Sequence, residues 1–182
     1  METSTAITSD DLDLEPVFGA LDAETRERVL AELRRGDEAL RAVAAELGIE
    51  SEGLVLSTYP SGQTEVAATL RAAGGKLSFE VGLRPRNFFS PHNPWRPGQP
   101  PRPMQTDAWD VDGAVNVMVR RLVGQHKYTI QEQAVELETT RYESPVEAAA
   151  ALAACCERLA ELARSREATV EAWAAPDPSA PR

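Results

Sequence analysis

The sequence predicts an α+β domain: an antiparallel sheet of about five to six strands, in two meanders or hairpins, packed by an N-terminal and a C-terminal long helix. Three observations carry this. Apolar residues recur at helical spacing in two long segments, one near each end. The middle of the chain instead alternates apolar and polar residues, broken by Gly-rich turns. A length of 182 residues with 42% apolar and 26% charged residues suits one soluble domain with tails.

In order, residues 1–13 are polar and acidic without periodicity, and are expected to be mobile. The first helix should start after Asp22 as N-cap and stop at Gly48, a suitable C′ residue. Between them Val29, Leu33, Gly36, Leu40, Val43 and Leu47 form a heptad-type seam. Gly36 on that seam marks a kink or a close approach to a partner helix.

Three strands are expected next: 54–59, 64–71 and 76–84. The second could also be read as a short helix, because Val66, Leu70 and Ala73 fit helical spacing. A hairpin is expected over 109–119, turning at Asp112-Gly113, a favoured type I′ pair. Tyr128, Ile130, Val135 and Leu137 mark the last strand or strand pair. Ser144-Pro145-Val146-Glu147 is a capping box that opens the second helix. Its stripe of Ala149, Leu152, Cys156, Leu159, Ala163, Arg166, Val170 and Trp173 extends to residue 173, with only Arg166 interrupting. The domain is thus placed at 14–173, with a Pro-rich loop at 84–107 and a disordered tail at 174–182.

Twenty-eight alanines and only two lysines suggest a bacterial, GC-rich origin. The longest apolar run, 148–156, is far short of the ~20 residues that span a bilayer. The start lacks a secretory pattern, so a cytoplasmic location without membrane contact is expected. Cys155 and Cys156 are helical neighbours pointing about 100° apart, which disfavours a bridge between them. They read as small packed residues, with a redox pair or metal site as the functional alternative. Asp107, Asp110 and Asp112 superficially resemble the start of a calcium loop, but the rest of that pattern is missing. No cofactor and no metal site is expected.

The net charge is −10, but unevenly spread. Residues 1–50 carry −8 and residues 51–105 carry +3. A negative surface repels phosphate, so nucleic acid is an unlikely partner. The basic region centres on 84–104, which holds seven prolines, four arginines, three aromatics and no acid. These are residue types favoured at interaction hot spots, on a backbone stiffened by proline.

The expected function is therefore a non-catalytic cytoplasmic adaptor that recognises a protein partner with an acidic or apolar surface. Its candidate contacts are Arg84, Arg86, Phe88, Phe89, His92, Trp95 and Arg96. The structural alternative tucks the same aromatics into the protein's own core. Small acidic α+β proteins also include secretion-chaperone-like dimers that hold extended peptides, by analogy of architecture alone. A third reading is a small enzyme or ligand sensor, with His92, Arg84, Arg86 and Asp107 meeting at the loop's base. No nucleophile, zincin or P-loop motif supports it.

Overall fold

A computed structural model describes residues 3–60, 62–86, 107–166 and 169–174. It is an α+β structure with elements β1 (Thr3–Ala6), α1 (Glu15–Phe18), α2 (Ala23–Leu47), β2 (Glu50–Ser51), β3 (Val55–Thr58), β4 (Thr64–Ala72), β5 (Leu77–Pro85), β6 (Trp109–Val123), β7 (His126–Tyr142), α3 (Pro145–Ser165) and α4 (Val170–Trp173). Among the described residues the antiparallel sheet has seven strands, in the order β1-β3-β4-β5-β6-β7 with β2 beside β4. No helix among the described residues is long and apolar enough to cross a membrane.

Both long helices start where their caps predict. Asp22 accepts the Thr25 N–H at 2.8 Å, and Ser144 accepts the Glu147 N–H at 3.4 Å. Gly48 closes α2 in the left-handed conformation, φ 63°. The two seams pack on each other, burying Val29, Leu33, Leu40 and Val43 with Leu152, Cys156 and Leu159. Gly36 is the point of close approach: a Cβ there would lie 3.1 Å from the Ala153 Cα and 3.2 Å from the Cys156 Sγ. Asp37, next to it, is buried. Its carboxylate accepts the Leu54 N–H and the Arg41 Nε–H, each at 2.7 Å, tying α2 to the chain entering β3.

Residues 64–72 form a strand, so the alternation through Val66, Ala68 and Leu70 prevails over the helical spacing. Four other expectations are corrected. Residues 1–13 are not wholly outside the domain: β1 pairs with β3, and Ile7 and Leu12 enter the core. The sequence shows no periodicity there because the strand is only four residues long.

Asp112-Gly113 is not a turn. β6 passes straight through it, pairing with both β5 and β7. Trp109, Val111, Gly113, Val115, Val117 and Val119 all face the helices, and a Cβ on Gly113 would lie 2.6 Å from the Cys155 Sγ. The glycine serves close packing inside a strand, a use that its turn propensity disguises.

The C-terminal stripe is not one helix. Arg166 is extended (φ −134°, ψ 151°), and the chain restarts at α4 under a Thr169 cap. The break lets Trp173 turn back onto Phe79, edge-on at 5.2 Å, with the Arg166 guanidinium 4.7 Å from the indole. Finally, Ala174 of the expected 174–182 tail packs against the core; the rest of that tail lies outside the described residues.

Candidate functional site

The helices cover one face of the sheet. Among the described residues no helix covers the other, and this open face has two chemically distinct ends. At one end, Glu65 on β4, Glu80 and Arg84 on β5, Asp112 on β6 and Glu136 on β7 surround a depression of about 420 Å³. Arg84 lies between Glu65 and Asp112, with its guanidinium 2.7 Å from each carboxylate. Burial opposes the charge on Arg84, but the attraction of Asp112 and Glu65 outweighs it and raises the pKa. Four carboxylates thus face one cation.

The other end is a ribbon. β5 pairs with β6 only as far as Leu77 opposite Val117, extended by a Met118 N–H bond to the Lys76 carbonyl at 2.7 Å. Beyond that, among the described residues β6 pairs with β7 alone, from Val119 opposite Ile130 to Val123 opposite His126. Two register shifts, at Val111/Gly113 and Val115/Asn116, each give β7 one extra residue. They re-phase β7 so that Leu137, Val135, Ile130 and Tyr128 all share the helix side of the sheet, despite their mixed odd and even numbers. Arg121 and Glu132 lie on that side too, joined at 2.5 and 2.6 Å. The opposite face of the ribbon carries Met118, Arg120 and Leu122 with Lys127, Thr129 and Gln131.

Leu122 is 63% exposed, Tyr128 50% and Ile130 38%; they are the large exposed apolar residues among those described. No acid occurs between Asp112 and Glu132, whereas Arg120, Arg121 and Lys127 do. The ribbon is therefore basic and apolar, on a protein of net charge −10.

The residues expected to bind a partner fare differently. Arg84 is ion-paired across the sheet to Glu65 and Asp112, with about half of its side chain exposed. Arg86 is half-buried and donates its backbone N–H to the Ala108 carbonyl at 2.8 Å, which closes the neck from which the 84–107 loop departs. Phe88, Phe89, His92, Trp95 and Arg96 lie outside the described residues. His126 opens β7 at the ribbon tip, its ring 6.3 Å from Tyr128. Arg84, opposite Asp110, is at the other end of β6.

The cysteines face different neighbours. Cys156 is buried over Gly36 and Cys155 sits over Gly113, donating to the Asp112 carbonyl at 3.6 Å. Burial, then the charge of Asp112, pushes the Cys155 thiol up to about 11. Burial, then Cys155, pushes Cys156 higher still. Such thiols are poor nucleophiles near neutral pH. No group of three His, Cys, Asp or Glu side chains among the described residues could hold a metal ion.

The ribbon escaped the sequence reading because charge summed over 106–143 gives −3. Resolved along the strands, the acids gather toward the base and the bases toward the tip. An acid-free stretch with three cations around alternating apolar residues was the available signal. Comparison with known proteins finds no family model, no curated relative and no solved structure that matches this chain.

Proposed function

We propose that the protein is a cytoplasmic, non-catalytic protein-binding module that engages its partner through the β6–β7 ribbon. One observation carries this reading: the ribbon runs past β5 and leaves large apolar residues exposed on both faces, Leu122 with Arg120 and Lys127 on the open face and Tyr128 with Ile130 on the helix side. A two-stranded ribbon gains little stability alone, and large apolar side chains in water are disfavoured. Their placement fits a partner surface that is apolar with an acidic rim, the chemistry also suggested by the composition of 84–104.

A second reading, the peptide-holding chaperone, draws on β7. This strand runs 17 residues and has no neighbour on its outer edge among the described residues, so its backbone could accept an extended segment by strand addition.

The test is site-specific photocrosslinking in cells, with a benzophenone side chain in place of Tyr128 and, as control, of Glu27 on the exposed side of α2. A discrete adduct is expected from position 128 and lost on I130D. Equal, diffuse labelling from both positions would overturn the reading.

A further inference from the structure

Charge on the open face is ordered along the two longest strands. At the base, Glu65, Glu80, Asp112 and Glu136 surround the single guanidinium of Arg84. At the tip, Arg120 and Lys127 flank Leu122. The extra residues at both register shifts belong to β7, so β6 keeps its alternation and Asp112, Ala114, Arg120 and Leu122 share one face. Ten residues of strand separate Asp112 from Leu122 by about 33 Å. Among the described residues, Arg120, Lys127 and Glu136 form no ion pair.

We propose that the tip of the ribbon docks by its open face on the acidic depression of a second copy of this chain. The two copies pair face to face, with long strands antiparallel and a two-fold axis crossing near the middle of β6. This rests on reading the ribbon as the interaction element, and it names the partner.

A face that is basic at one end and acidic at the other complements itself when rotated end for end, and the two-fold axis makes every favourable contact twice. Arg120 and Lys127 meet Glu80 and Glu136 of the partner subunit. Leu122 enters the space that Ala67 and Ala114 leave between the carboxylates. Phosphate-bearing partners fit less well, because the same face presents carboxylates to them. Tyr128 and Ile130, on the helix side, stay available to a different protein.

The experiment is sedimentation equilibrium of the full chain across concentration and salt, with two charge-reversed variants. The wild type should dimerise, and more weakly as salt rises. R120E/K127E makes both ends of the face acidic, and E80K/E136K makes both basic. Each should weaken the dimer by about tenfold or more. Circular dichroism would verify that each variant is folded. Mixed in equal amounts, the two variants should recover wild-type affinity as a heterodimer, since each tip then meets an opposite charge twice.

A wild type that stays monomeric at on the order of 100 µM overturns the proposal. A dimer indifferent to either variant, or no recovery on mixing, also overturns it. If Tyr128 still crosslinks to another protein while the wild type is monomeric, the ribbon's role survives and only the second copy is dismissed.

Discussion

At Gly113 the β6 backbone passes so close beneath α3 that the Cys155 sulfur occupies the space a side chain would need. Gly36 does the same for Cys156 between α2 and α3. Adjacent helical positions point in different directions, so one cysteine serves the sheet and its neighbour serves the other helix. The two glycines differ in how they should tolerate a methyl group. Gly113→Ala meets mainly a side-chain sulfur and should cost about 1–3 kcal/mol, measured by denaturant unfolding. Cys155→Ala in that background should recover part of the loss. Gly36→Ala meets the Ala153 Cα, which no side-chain change can clear, so Cys156→Ala should not rescue it. The raised thiol pKa values give a second prediction. With a pKa of about 11, Cys155 is roughly a thousandth ionised at pH 8, against about a quarter for an ordinary thiol. Both cysteines should therefore resist iodoacetamide in the native protein and react once it is unfolded. A folded-state pKa above the unfolded one stabilises fully below the ordinary thiol range. That contribution is lost as pH rises toward 11.

Among the elements, α2 and α3 owe their positions to caps and seams that are plain in the residues themselves. The ribbon differs, because what singles it out is where β5 stops. β5 turns away at Lys76, leaving the outer third of β6 with one neighbouring strand instead of two among the described residues. The core ends at the same level on the helix side: Val119 is 7% exposed, while Ile130 opposite it is 38% and Tyr128 one step further out 50% exposed. Replacing residues 120–129 by a two-residue Asn-Gly turn should leave thermal stability within about 1 kcal/mol of wild type. It should also abolish the dimer. A large loss of stability would instead make the ribbon part of the folding core. The break between α3 and α4 has a similar cause, since no local signal outweighs the helical stripe. The stop at Arg166 follows from the contact of Trp173 with Phe79 on β5.

For the whole molecule, burial closes the sheet at both ends of the chain. Ile7 and Leu12 are 1% and 6% exposed, and the Ile7 N–H bonds the Leu54 carbonyl at 3.0 Å. Removing residues 1–13 should therefore cost about 3 kcal/mol or more, read as a lower unfolding midpoint, because each buried aliphatic side chain contributes roughly 1.5–3 kcal/mol. Unchanged stability would show that β1 adds nothing beyond its own residues. At this scale the charge of −10 resolves into opposed ends of one sheet face, a pattern that follows strand direction rather than segment totals.

Fold class, both long helices with their caps, strands β4 and β5 and the apolar face of β6 were legible in the residues, because periodicity and capping are local properties. The Asp112-Gly113 step and the stripe through Arg166 misled for the same reason: a locally favoured turn and a locally favoured helix were each overruled by distant packing partners. The candidate surface was less legible. The composition of 84–104 offers Arg84 only as one of several cations, and only the pairing of β4, β5 and β6 places it between Glu65 and Asp112. Sequence by itself determined which residues could be inside. The tertiary structure decided which apolar residues were left outside, since that depends on where each strand loses its neighbour, a property no local window contains.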